Sequence, residues 1–293
     1  MFHVSRRAKD LSGHLPTTAL VQRRSGRQKS ANFDRRSSCG HGLADGLVLT
    51  TIADMAPDYI LVPGPPVRAT SWQPTAELLR KAGLSVQVPD ILAHLLSPPS
   101  WSTWTSHLLD HIAPGRNTVV VGHSSSCALV AELAIKMPLS GLILVDGDIP
   151  PPQGAAPPVR PALLEFIKGI ADETGTLPPW SRWFANDALR ASLVGIDVLQ
   201  RDAQEFARFE QGLPRLRVDW FNDNIELCHW DHVPAGYIQA SQIYDHATAE
   251  ARRRGWPVAH LNGTHLDPTL RPVEMSEAIT SMTRELGVVG ARS

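Results

Sequence analysis

From Tyr59 onward, apolar residues fall in short near-continuous runs separated by segments of helical period. Residues 59–63 (YILVP) predict a strand buried on both faces. Residues 74–82 predict a helix, with Pro74 in its first turn and Gly83 just past its end. Strands are expected at 85–88, 118–121 (TVVV) and 142–145 (LILV), with helices over 101–112 and 126–136 between them. After residue 233 the alternation resumes: a strand at 237–240, a helix at 245–254 closed by Gly255, a strand at 258–261 and an amphipathic helix at 273–286. This order predicts an α/β protein, with a mostly parallel sheet of six or seven strands and helices on both faces. The seventh strand has one candidate, residues 46–52.

The interruption at 150–233 opens with IPPPQGAAPPVRP, which fits neither a helix interior nor a central strand. It then carries Trp180, Trp183, Trp220 and Trp230. Because the alternation resumes afterwards, the segment reads as a helical lid. The expected organisation is therefore a basic, disordered extension at 1–54, a core at 55–149 and 234–293, and a lid at 150–233. Met55 opens MAPDYILVPG, a short lead directly into the first strand.

Charge sharpens this division. Residues 1–40 hold nine basic and two acidic residues, and the remainder carries a net charge of −8. An acidic body repels nucleic acid and anionic lipid, and the basic tail has no interleaved aromatics. No apolar run reaches the length of a membrane span. Neither a nucleic-acid nor a membrane partner is expected. Three scattered cysteines suit no disulfide framework or zinc knuckle, so a reducing, cytoplasmic setting is expected. No G-x-G-x-x-G or G-K-[ST] string is present, so no nucleotide cofactor is implied. His107 and His111 share a helix face, but Leu108 stands where H-E-x-x-H needs its glutamate. The group Cys228, His229, Asp231 and His232 matches no metal-ligand spacing and reads as a loop.

The strongest chemical signal is VVVGHSSSCALVAELA, in which a buried strand turns into a helix within a few residues. Gly122-His123-Ser124-Ser125-Ser126 resembles the G-x-S-x-G nucleophile elbow of the α/β-hydrolase superfamily. So tight a turn demands small residues two before and two after the nucleophile. Gly122 meets the first demand; Ser126 departs from glycine but stays small. Ser124 is then the nucleophile, and the Ser125 N–H an oxyanion donor aided by the helix dipole. Cys127 reads as core rather than nucleophile.

YILVPGPP, LVDGDIPPP, LPPWSRWF and YIQASQIYDHATAEARRRGWPVAHLNGTHL extend the resemblance, to small α/β hydrolases of actinobacterial type. It implies a hydrolase, commonly of carboxylesterase type, without a cofactor and acting on a small-molecule substrate. It places the general base just after the last strand, at His265. The triad acid follows one of two strands: Asp146, with Asp148 nearby, or its rival Asp245. Asp267 is too near His265 in sequence to orient it from the far side.

The resemblance also implies a second oxyanion donor, two residues past the end of the first strand. There Pro65 and Pro66 follow Gly64, and proline has no N–H. The expected substitute is the Val67 N–H. The lid aromatics, with Trp72, are expected to line an apolar pocket above Ser124. The reading is a serine hydrolase for an apolar ester. Its alternatives are a lyase of the same fold, such as a hydroxynitrile lyase, or a catalytically weak ligand-binding protein.

Overall fold

The structure, a computed structural model, describes residues 56–288 except Leu96. The extension at 1–54 and the strand candidate at 46–52 lie outside the described residues. The strands are β1 (Asp58–Val62), β2 (Ser85–Gln87), β3 (Thr118–His123), β4 (Gly141–Val145), β5 (Gly154–Ala156), β6 (Ile225–Leu227), β7 (Ala235–Gln239) and β8 (Val258–His260). Six of them form one parallel sheet in the order β2-β1-β3-β4-β7-β8. β5 and β6 pair antiparallel in a separate ribbon that sequence periodicity did not suggest.

Side-chain alternation sorts the central strands onto two cores. Ile60, Val62, Val120, Leu142, Leu144 and Tyr237 point to one face. There they meet helices α2 (Trp101–Leu109), α3 (Ser126–Lys136) and, further along the chain, 245–253. Tyr59, Leu61, Val121, Ile143, Val145 and Ile238 point to the other, against α1 (Gln73–Lys81) and the C-terminal helix at 272–285. Because both faces are covered, these strands are apolar throughout rather than alternating. α2 was expected to reach residue 112 but ends at Leu109. Its last N–H bond tightens to His111 N–H onto the Leu108 carbonyl, and Pro114 lies just ahead.

The chain leaves the sheet after Val145 and rejoins it at Ala235. The insertion carries α4 (Pro161–Ile170), α5 (Ala188–Val194), α6 (Ile196–Leu199) and α7 (Ala203–Glu210). Ile167, Leu177, Phe184, Val194, Phe209 and Phe221 form a core of its own. Its proline-rich entry runs without helix until Pro161 opens α4 at a position where its missing N–H costs nothing. The Trp101 and Trp230 indoles donate to the Ala156 and Pro151 carbonyls at 2.9 and 2.8 Å, tying this entry to the body. The chain closes with α8 (Asp245–Arg253), α9 (Asp267–Leu270) and α10 (Pro272–Glu285).

Candidate active site

β3, buried along its whole length, delivers Gly122 and His123 to a turn that enters α3 at Ser126. Ser124 sits at that turn with φ +60°, a conformation that costs a residue with a Cβ about 1–3 kcal/mol. Neighbouring strands hold it there: the Ser124 N–H donates to the Val145 carbonyl at 2.9 Å. The two flanking small residues have separate reasons. A Cβ on Gly122 would stand 2.7 Å from Val130 Cγ2 and 3.1 Å from the Ser126 carbonyl, so strand and helix could not approach. Ser126, fully buried, accepts the His123 N–H at 2.7 Å and lies 2.9 Å from the Val62 carbonyl. Its hydroxyl therefore stitches the turn to β1, work a glycine could not do.

Asp146 follows β4 directly and is also held at positive φ, +44°. Its carboxylate is fully buried and accepts four donors. Oδ1 takes the Ala240 and Ser241 N–H groups at 3.0 and 2.8 Å. Oδ2 takes the Ser241 hydroxyl and His265 Nδ1, each at 2.7 Å. Burial alone raises the pKa of this carboxyl, but the His265 and Ser241 bonds outweigh it and hold the group below its ordinary value. An acceptor-only partner fixes the proton of neutral His265 on Nδ1, leaving Nε2 as the basic atom. Asp245 is elsewhere: it opens α8 and accepts from the Gln239 amide.

The loop carrying His265 is clamped from the insertion. His265 and Leu266 donate their N–H groups to the Leu193 and Val194 carbonyls of α5 at 3.2 and 3.1 Å. From below, Asp267 accepts from the Thr264 N–H and hydroxyl, so its carboxylate shapes the loop and does not face the imidazole from the far side. The His265 ring packs against His123 at 4.5 Å and Tyr244 at 5.6 Å between centroids.

His123 is fully enclosed. Its Nε2–H donates to the His265 carbonyl at 2.9 Å, while its Nδ1 has no partner among the described residues. Burial and the neighbouring His265 push its pKa down from 6.5 to about 3. Unfolding lets this imidazole take up a proton below pH 6.5, so the native state should lose stability as pH falls from 6.5 towards 3. The slope from this residue is about 1.4 kcal/mol per pH unit. Urea unfolding of His123→Gln and the parent between pH 4.5 and 6.5 should show the variant's stability falling less steeply; parallel curves would refute a neutral His123.

Ser124, Ser125, His265 and Tyr244 border a cavity of about 340 Å³ under the insertion. Its far wall is apolar, with Phe166, Trp180, Trp183 and Phe221. A second lobe of about 200 Å³ continues past Ser124 along the proline-rich entry, bordered by Ala128, Ile149 and Pro157. Trp72, expected at the pocket, is fully buried in the core beneath it, edge-on to His123 at 5.9 Å, because its helical turn faces the sheet. Trp220 and Trp230 likewise pack against the body core.

The Ser125 N–H, at the start of α3, has no acceptor among the described residues. The Val67 N–H corrects the expectation placed on it. It donates to the Gly64 carbonyl at 3.0 Å, closing the Gly64-Pro65-Pro66-Val67 turn, and Val67 itself is buried in the insertion's core. Pro65 pre-sets φ at the first central position of that turn, and the Val67 amide is spent in closing it. Burial pushes the Cys127 thiol pKa far up, which suits a core side chain. His111 Nδ1 contacts the His107 carbonyl, and the 228–232 loop gathers no ligand set. Among the described residues no three His, Cys, Asp or Glu side chains converge as metal ligands, and no helix is long and apolar enough to cross a membrane.

Sequence reasoning missed Ser241 and Tyr244. Both lie in SQIYD, which was read only for its carboxylate. A serine just after a strand that abuts the Asp146 strand was the available signal.

A parallel sheet that turns sharply into a helix at a strained serine, under an inserted cap, defines an α/β enzyme architecture built around an elbow. The chain belongs to the alpha/beta hydrolase family, whose model matches residues 59–278. Among solved structures it is similar to an extracellular alpha/beta-hydrolase from a Paenibacillus species, at 17% identity and TM-score 0.61 over 78% of this chain and 98% of that one. It is similar also to tomato methylketone synthase I, at 16% identity and TM-score 0.62 over 79% and 99%. A pyrethroid hydrolase from Sphingobium faniae matches at 20% identity and TM-score 0.57 over 78% and 98%. No curated protein sequence gives a significant match.

Proposed function

We propose that the protein is a serine hydrolase that cleaves the ester, or a similar acyl bond, of a small to medium apolar substrate. The observation that carries this reading is the 2.7 Å His265 Nδ1–Asp146 Oδ2 bond, made where His265 and Ser124 share one cavity. Ser124 Oγ attacks the acyl carbon and passes its proton to His265 Nε2, while the carbonyl π pair moves onto oxygen. The Ser125 N–H donates to that oxyanion. The pair then returns, the bond to the leaving oxygen breaks, and His265 gives that oxygen its proton. Water, deprotonated in turn by His265, adds to the acyl carbon; the bond to Ser124 Oγ breaks, His265 returns its proton to that oxygen, and the acid leaves. Asp146 fixes the imidazole and stabilises its cation; Asp245 has no part. The insertion acts as the lid, and its aromatic wall supports an apolar substrate, as the names pyrethroid hydrolase and methylketone synthase among the similar structures do.

The loss of both Pro65 and Val67 as donors favours a second reading, a weakly catalytic binder or a lyase on the same fold. A fluorophosphonate probe separates them. A serine hydrolase should gain one stoichiometric adduct, mapped to Ser124 by mass spectrometry, and should release p-nitrophenol from short acyl esters. Folded protein that takes no adduct at Ser124 is not a serine hydrolase.

A further inference from the structure

An oxyanion served by one amide is poorly held. Removing one of two donors typically lowers turnover 10²–10³-fold. Pro65 and Pro66 of the strand-end loop have no N–H to offer, and the Val67 N–H closes its own turn. The loop itself is in place beside the serine: a Cβ on Gly64 would stand 3.8 Å from Ser124 Oγ, and Pro66 borders the same cavity.

On the other side of Ser124 stands a group without an assigned role. Tyr244 lies in the short helical turn that follows β7 and is buried. It borders both lobes of the cavity, as Ser124 and Ser125 do. Its phenol faces the same space as the Ser124 hydroxyl, which favours the ionised phenol against burial. The ring is fixed on one side by stacking on His265, at 5.6 Å and 25°, and the Arg160 guanidinium lies 5.3 Å from its centroid. We propose that the Tyr244 hydroxyl is the second donor to the oxyanion formed at Ser124, in place of the amide that Pro65 lacks.

The assignment rests on the serine-hydrolase reading. A carbonyl carbon at Ser124 Oγ, its oxygen turned towards the Ser125 N–H, lies at the junction of the two lobes, where Tyr244 stands. As the negative charge builds on that oxygen, the phenol O–H donates to it. No proton is transferred, and the phenol O–H is released when the carbonyl re-forms. Burial, with the Asp146 and Asp148 charges nearby, pushes the phenol pKa up, so the group stays protonated and able to donate across the working pH range.

Tyr244→Phe keeps the ring and its stacking and removes the donor. For p-nitrophenyl butyrate, kcat should fall about 10²-fold with KM nearly unchanged. Affinity for a trifluoromethyl ketone, which forms the same oxyanion on Ser124, should fall by the same factor. A packing role would leave that affinity unchanged, so a retained affinity overturns the proposal even where kcat falls. Should Tyr244→Phe fold poorly, fluorotyrosine at 244 keeps the hydroxyl and strengthens it as a donor; an unchanged kcat and ketone affinity would then overturn the proposal. Wild-type protein inert to both ester and fluorophosphonate overturns the hydrolase reading and this assignment together. An active wild type matched by Tyr244→Phe overturns the Tyr244 assignment alone.

Discussion

Asp146→Asn should lower kcat/KM for an activated ester about 10⁴-fold, while Asp245→Asn changes it less than threefold. The first expectation follows from the saturation of Asp146 by four donors. An asparagine there has only one acceptor oxygen. If its NH₂ faces the Ala240 and Ser241 amides, two pairs of N–H groups oppose each other in a buried site. If it faces His265 instead, the imidazole must present a bare Nδ1 and carry its proton on Nε2, and the base is lost. Wrong-tautomer loss of this kind costs about 10⁴ in rate in a serine protease. Asp245 by contrast bonds the Gln239 amide, and an asparagine can keep that bond. Equal losses in the two variants would remove Asp146 from its role.

The pH behaviour has a definite sign. The folded Asp146 pKa lies below the unfolded one, so its ionisation stabilises the protein at every pH above the ordinary carboxylate value of about 3.9. That contribution is lost as pH falls through the depressed folded value. Asp146 therefore stays ionised through mild acid. The Asn variant should show a reduced rate at all pH values and a flatter stability profile below pH 4.

The sheet was legible because its central strands are buried on both faces, and that burial writes unbroken apolar runs such as YILVP and TVVV into the chain. The elbow was legible because its steric demand falls on consecutive residues. What escaped was set by contacts distant in sequence. The β5–β6 ribbon joins two three-residue strands across the whole insertion, too short to show a period. Tyr244 and Trp72 look alike in a sequence, as aromatics near loops; only the packing puts one at Ser124 and the other beneath the sheet. Pro65-Pro66 did announce a missing donor. That the Val67 amide is consumed in closing a turn onto Gly64 required the backbone geometry.

Gly147→Ala should cost about 3 kcal/mol or more of stability and lower kcat/KM at least 10²-fold in whatever protein folds. A Cβ at 147 would sit 2.2 Å from the Ser124 carbonyl oxygen, 2.9 Å from its carbonyl carbon and 2.5 Å from Cys127 Sγ. Two of these three atoms are backbone, so no side chain can swing aside to make room. The loop after β4 must move, or the elbow must. Either shift separates Asp146, the residue before Gly147, from Ser124, and displacements of about 1 Å at a reacting group cost roughly 10² in rate. The Gly147 carbonyl also accepts the buried Tyr237 hydroxyl at 3.0 Å, so displacement strains β7 as well. Gly169→Ala is the matching control. It lies exposed inside α4, where an added Cβ meets nothing within 4 Å, and the same change should stabilise the helix by about 0.5–1 kcal/mol. Chemical denaturation of both variants, with ester turnover measured on each, checks the pair. A Gly147→Ala protein as stable and active as the parent would mean that Gly147 does not hold the Asp146 loop against the elbow.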